Sequence, residues 1–255
     1  MTDVRALADV AERAARQAGE LLKARPERVD HKGAVDLVTE VDLASERLIR
    51  EVLAPTGIPV QGEEGGGAES GTRWAVDPVD GTTNFVHGYP FYCVSIALLD
   101  GETPVVGVIY DPVRDRLHRA STGAGTTTNG APARVSSVAT LDAALSVTGF
   151  PYDRRKRAAF YLERVQRALE ATHGIRRSGS AAMDLTTIAT GGAELYWEYG
   201  LKPWDTSAGV VLVWEAGGVV TRLDGSPWTP GAPDILATNG RVHDAVVRLL
   251  GTDAG

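Results

Sequence analysis

An α+β fold is what this sequence predicts, and two observations carry the prediction. Apolar residues recur at helical spacing in some segments and gather into short strand-like runs in others. The two kinds alternate along the chain without internal repeats. A length of 255 residues with 43% apolar content can bury a substantial core, as one large domain or two fused lobes. No proline-rich or low-complexity linker separates the halves.

Leu7, Val10, Ala11, Ala14, Ala18, Leu21 and Leu22 keep helical spacing, and Pro26 closes that helix. A second helix starts near Thr39 and carries Ala44, Leu48, Ile49, Val52 and Leu53 on one side until Pro55 and Gly57 end it. Strands are expected over residues 74–77, 94–99, 105–110 and 117–120, then a turn-rich stretch over 123–132. The second half reads as a strand near Leu145, a charged helix over 156–169, and a strand at Ile175. A helix over 182–189, a strand over 194–199 and a helix over 205–216 follow. A strand near Leu236 and a helix over 242–250 close the chain.

Composition removes several function classes. A net charge of −7 argues against a general surface for nucleic acid or anionic membranes. It leaves an anionic substrate open, because bound cations reverse the local sign. The single Cys93 rules out an internal disulfide or a cysteine-based zinc cluster, and its apolar setting makes it core. The five histidines lack ligand spacing. No segment approaches the roughly 18 apolar residues of a membrane span. The N-terminus has no signal-peptide core, so the cytoplasm is the expected compartment.

The chemistry concentrates in Asp77-Pro78-Val79-Asp80-Gly81-Thr82-Thr83-Asn84-Phe85. Two carboxylates stand three residues apart after the strand-like run 73–76. Pro78 forbids a ladder bond at its own nitrogen, and Gly81 permits a sharp bend. Thr82, Thr83 and Asn84 then offer hydroxyls, an amide and N–H groups, as a helix start would. Carboxylates gather hard cations, and N–H groups at a helix start gather phosphate. Together they point to a metal-bound phosphate ester.

Two further segments keep company with it. Gly62-Glu63-Glu64 follows the short apolar segment 58–60 and runs into the glycine-rich stretch 65–71, which reads as a loop mobile without metal and better ordered with it. Lys202-Pro203-Trp204-Asp205-Thr206-Ser207-Ala208-Gly209 precedes the apolar run 210–213. Taken alone, Glu63-Glu64 is a solvated acidic loop and Asp205 an N-cap. Each of the three nonetheless sits at the end of a strand-like segment.

This combination resembles the inositol monophosphatase family, a group of magnesium-dependent, lithium-sensitive phosphatases. The DPVDGTTNF segment matches one family signature nearly letter for letter. WDTSAG, with Glu215-Ala216-Gly217-Gly218 behind it, matches a second, and Gly62-Glu63-Glu64 a third. The resemblance spans residues 32–239. It implies a layered α/β/α/β/α sandwich of the inositol monophosphatase and fructose-1,6-bisphosphatase type. The active site would lie between a metal- and phosphate-binding lobe over residues 1–140 and a substrate-binding lobe over 141–255. A homodimer is also implied.

The resemblance further assigns roles. Glu63, Asp77 and the carbonyl of Val79 would bind one magnesium ion, and Asp77, Asp80 and Asp205 a second. Glu63 would help to hold a third, weaker ion through water, so the expected cofactor is two or three Mg2+. Water would be the nucleophile, oriented by Thr82, with Asp42 accepting the threonine's proton. Asp42 also reads as a first-turn acid favoured by the helix dipole; the match at Asp36-Leu37-Val38-Thr39-Glu40-Val41-Asp42 adds the functional reading. Gly81 and Thr82 N–H groups would hold the phosphate. Lys32 falls at a family position near the metal site but is set aside as a solvated lysine.

Substrate choice rests on Glu198 and on Gly179-Ser180-Ala181. Glu198 precedes Asp205 by seven residues, as the family's inositol-contacting glutamate does. Gly179, Ser180 and Ala181 match a stretch lining the sugar-alcohol pocket. With Glu63, Val79, Asp80, Gly81, Thr82 and Asp205 they make the expected substrate contacts. A carboxylate suits vicinal hydroxyls because its acceptor pair takes two O–H donors. The expected reaction is hydrolysis of myo-inositol monophosphate. Fructose 1,6-bisphosphate, histidinol phosphate, adenosine bisphosphate and NADP are alternatives within the superfamily. A regulatory partner of the transcription machinery is an alternative of another class. No direct nucleic-acid or membrane binding is expected. Metal storage is disfavoured, because the acidic loops lack calcium-loop spacing.

Overall fold

A computed structural model describes residues 4–31 and 37–251. Two sheets and three helix layers alternate. α1 (Val4–Leu21) and α2 (Glu40–Leu53) form the first layer, and between them in the chain β1 (Val29–His31) pairs antiparallel with β2 (Leu37–Thr39). The first sheet contains β3 (Val60–Gly62), β4 (Gly66–Gly67), β5 (Arg73–Asp80), β6 (Cys93–Asp100), β7 (Thr103–Asp111), β8 (Arg116–Ser121), β9 (Gly125–Thr128) and β10 (Ala131–Ala133). Its eight strands run in the order β10-β9-β8-β7-β6-β5-β3-β4. The short helix α3 (Thr82–His87) follows β5.

The second sheet has five strands: β11 (Leu145–Thr148), β12 (Gly174–Arg176), β13 (Leu195–Tyr199), β14 (Val219–Thr221) and β15 (Asp234–Thr238), in the order β12-β11-β13-β15-β14. α5 (Ala181–Ala189) and α6 (Pro203–Glu215) lie between the sheets, and α4 (Arg154–Ala171) and α7 (His243–Leu250) cover the outer face of the second. This is the α/β/α/β/α sandwich the resemblance implied.

The period-2 alternation of strands places the core. In β5, Trp74 and Val76 pack towards α1 and α2, while Ala75 faces the middle layer. In β13, Leu195 and Trp197 face the outer helices and Tyr196 the middle layer. Asp77 and Glu198 therefore have the parity of the middle layer, at the ends of their strands. α6 is buried on all sides from Thr206 to Val213 because both its faces meet a sheet.

Several sequence expectations are corrected. β5 runs on through Pro78 to Asp80, and its pairing with β6 slips between Asp77 and Asp80. The bulge absorbs the bond that proline cannot make. The turn-rich stretch contains the hairpin β9–β10. α4 starts earlier than expected and has a non-helical Arg157 near its start (φ −120°, ψ 24°). In α2 the buried side is not the apolar one expected: Ala44 is exposed, Leu48 half-buried, and Asp42, Ser45 and Glu46 are buried beside Ile49 and Leu53. That face carries polar groups because it backs the first strand ends. Ser45 Oγ donates to the Pro78 carbonyl at 3.3 Å. The first part of the stretch 65–71 is paired, as Gln61 and Gly62 align with Gly67 and Gly66. Among the described residues, no helix is long and apolar enough to cross a membrane.

Candidate active site

Strand ends and helix starts meet at one place. β3 and β5 are parallel, so their C-terminal ends deliver Glu63 and Asp77 to the same edge. The Glu63 N–H donates to the Val76 carbonyl at 3.1 Å, which fixes the turn after β3 against β5. The bulge then brings Val79 and Asp80 alongside. α3, α5 and α6 begin here too, with Gly81, Ser180 and Lys202 at their N-caps. Glu198 arrives from the end of β13.

These elements enclose a cavity of about 390 Å³. Glu63, Asp77, Val79, Asp80, Gly81, Thr82, Gly179, Ser180, Ala181, Glu198 and Asp205 all line it. Asp42 stands directly behind the wall: Thr82 Oγ1 donates to its Oδ1 at 3.1 Å and is also 3.0 Å from the Val79 carbonyl. The other oxygen of Asp42 accepts from the Thr39 hydroxyl and, at 3.0 Å, from the Thr39 N–H. Asp42 is thus both the capping acid of α2 and the partner of Thr82. Lys32 and Asp36 lie outside the described residues.

Three of these acids are also tied to the backbone. Asp77 Oδ1 accepts from Val79 N–H at 2.9 Å, and Asp205 Oδ2 from Lys202 N–H at 2.7 Å. Asp80 Oδ2 accepts from Ser180 Oγ and from Ala182 N–H, both at 2.6 Å. Gly81 adopts φ 95°, and a Cβ there would stand 3.1 Å from the Phe91 carbonyl, so the turn requires glycine. No three acids among the described residues converge into a finished ligand shell. Like charges repel, and here the carboxylates turn to N–H and O–H donors instead.

The same crowding raises their proton affinity. Burial, then Glu63, Asp80 and Asp205, lift Asp77 well above the usual carboxylate range. Burial, then Glu63 and Asp80, do the same to Asp205. Burial lifts Asp80 to about 6 and Glu198 to about 7, although Tyr196 Oη donates to Glu198 at 2.8 Å. Burial also raises Asp42. A folded state that holds protons more tightly than the unfolded one loses stability as pH rises through the interval between the two pKa values. Burial of His118, lowered to about 4 from 6.5, acts in the opposite sense below pH 6.5. In chelator, Tm should therefore fall as pH rises from about 6.5 to about 7, the upper part of the Glu198 interval, where His118 no longer opposes it. A Tm that is flat or rising there would contradict this account of the acids.

A family model described as the inositol monophosphatase family matches residues 3–252. The chain belongs to this family. It is 45% identical over 230 residues to an inositol-1-monophosphatase of Synechocystis sp., covering 88% of this chain and 80% of that protein. It is 42% identical over 257 residues to Nus factor SuhB of Pseudomonas aeruginosa, covering 95% and 94%. The solved inositol monophosphatase of Anabaena (Nostoc) sp. superposes with a TM-score of 0.87 at 42% identity, over 98% of this chain and 97% of that one. The protein is a phosphatase, of a family that is generally metal-dependent.

Two residues at this cavity were not found from the sequence. Arg154 and Arg177 line the cavity. Arg154 donates to the Pro151 carbonyl at 3.3 Å, and Arg177 lies 5.8 Å over the Phe150 ring. Both sit in arginine-bearing stretches with no distinguishing spacing. Asn84, read as part of a helix start, lies in the first turn of α3, and its side-chain amide donates to the carbonyls of Phe91 and Ser178 at 2.7 and 2.8 Å.

Proposed function

We propose that this phosphatase hydrolyses a polyol phosphate monoester, with myo-inositol monophosphate as the leading substrate, in a magnesium-dependent reaction with water as nucleophile. One observation carries the reading. A single cavity is lined by four acids, three helix starts and Glu198, with Asp42 behind its wall bonded to Thr82. Division into a metal and phosphate lobe over 1–140 and a substrate lobe over 141–255 belongs to the same proposal, as do a homodimer and a cytoplasmic location.

The donors fit a hard cation. Glu63, Asp77, Asp80, Asp205 and the Val79 carbonyl offer oxygen alone, and cation binding would offset the burial and the mutual repulsion that raise Asp77 and Asp205. Two or three magnesium ions would sit among these acids, Glu63 serving the third through water. They would neutralise phosphoryl charge and make a bound water acidic. The protein's own groups do the rest. Gly81 and Thr82 N–H groups at the start of α3 hold phosphate oxygens. Thr82 Oγ1 accepts a hydrogen bond from the attacking water and passes its own proton towards Asp42 Oδ1. Burial raises the affinity of Asp42 for that proton. Gly179, Ser180, Ala181 and Glu198 line the polyol side.

Phosphate release from inositol, sugar and nucleotide phosphates, with and without magnesium, tests the whole reading. Equal release with and without magnesium would reject the metal role. Failure to prefer polyol phosphates would reject the substrate class. Glu198→Gln separates recognition from chemistry. A charge-assisted contact to a hydroxyl is worth roughly 1.5–3 kcal/mol. kcat/KM for inositol monophosphate should therefore drop about tenfold or more, since ~1.4 kcal/mol is one decade. An aryl phosphate should lose little. Equal losses on both substrates would move Glu198 to the metal site or the fold.

A second reading, a regulatory partner of the transcription machinery, is supported by 42% identity to a protein named a Nus factor. A phosphatase-dead variant that retains the regulatory phenotype would favour it.

A further inference from the structure

Glu46 is an acid in the middle of α2, only 3% exposed, that plays no part in the reaction described above. Its carboxylate reaches the turn after β3. Oε2 accepts from the Glu64 N–H at 2.7 Å, and Oε1 from the Gly65 N–H at 2.9 Å. Oε1 also accepts from Arg50 Nε at 2.8 Å. Arg50 in turn donates to the Gly66 carbonyl at 2.7 Å and the Val60 carbonyl at 3.4 Å. The pair therefore clamps the hairpin from both of its strands.

Glu63 sits inside that clamp. Its own N–H is held by the Val76 carbonyl, and the next two N–H groups are held by Glu46. The flanking glycines have the same origin. A Cβ on Gly65 would stand 2.7 Å from Glu46 Oε1, and one on Gly62 would collide with the same carboxylate. Gly62-Glu63-Glu64-Gly65 is thus shaped around a residue of a distant helix. The backbone of the turn is held from α2.

We infer that Glu46 is a positioning residue for Glu63: its buried carboxylate fixes the backbone pose from which Glu63 meets a divalent cation. This rests on the proposal that Glu63 holds magnesium. Outer-shell groups that orient a ligand typically change metal affinity about 10–100-fold. Glu46 acts through the backbone, so the low end applies.

The test is magnesium binding to metal-free protein by calorimetry, with amide exchange and Tm measured alongside, for wild type, Glu63→Gln and Glu46→Gln. Glu46→Gln should weaken the Glu63-dependent binding about tenfold. Exchange should quicken at Glu64 and Gly65 without spreading through α2 or β5. Excess magnesium should restore most of kcat. Wild-type affinity in Glu46→Gln, beside weakened Glu63→Gln, would overturn the inference alone. Wild-type affinity in Glu63→Gln would overturn the ligand reading and the inference with it. Exchange that quickens throughout α2 and β5 would make Glu46 a packing residue and overturn the inference. If Glu46→Gln does not fold, Arg50→Met removes the guanidinium hold and keeps the carboxylate on both amides. It should weaken magnesium several-fold with the same local exchange signature, and unchanged affinity and exchange would overturn the clamp.

Discussion

Asp80→Asn should cut turnover at saturating magnesium about a thousandfold or more while the protein stays folded. Several kcal/mol of transition-state stabilisation rest on correctly held metal, and each ~1.4 kcal/mol is one decade. The fold should survive because asparagine keeps an oxygen where Asp80 accepts from Ser180 Oγ and Ala182 N–H. The start of α5 thus retains its cap. Folding stability in chelator should even rise. Burial lifts the Asp80 carboxyl to about 6, so its ionised form is disfavoured in the folded protein at neutral pH, and a neutral amide escapes that cost. Phosphate release and Tm on the same preparation decide the matter. Unchanged activity at saturating magnesium would remove Asp80 from the ligand set, and a collapsed Tm would make it a structural residue.

Thr82→Ala should lower kcat by about 10²–10⁴ with little change in KM. That is the usual contribution of a positioned proton-transfer group. Thr82 lines the cavity and its hydroxyl lies 3.1 Å from Asp42 Oδ1, so removing it would break the proposed path from water to Asp42. Thr82→Ser keeps the hydroxyl and should recover most of the loss. If alanine and serine lose activity alike, the methyl group and the packing at the start of α3 matter more than the proton path.

The acids of the site were legible because each lies in a short contiguous segment. Asp77 and Asp80 share the bulged end of β5, which glycine and proline mark, Glu63 follows β3, and Asp205 lies in the first turn of α6. The link from Thr82 to Asp42 crosses forty residues, so no local spacing reveals it; only family resemblance suggested it. Asn84 was read for its local chemistry, yet its amide reaches Ser178, ninety-four residues on. Glu46 was missed for a different reason. Helical periodicity seeks an apolar face, and α2 turns a polar one inward to back the site, where Asp42, Ser45 and Glu46 all find partners. The small strands β9, β10 and β14 carry turn residues or are only three or four residues long, too short for alternation to register.

The burial of α6 between both sheets bears on what happens when the polypeptide is cut. α6 comes from the second half of the chain, yet it packs on β5, β6, β7 and β8 of the first. A break in the connection between β10 and β11 would leave an N-terminal fragment with Ala75, Ala97, Leu99, Ile109 and Ala120 bared along one sheet face. Such a surface invites self-association. The two fragments should dissolve and regain activity only when produced together, each acting as the other's missing core.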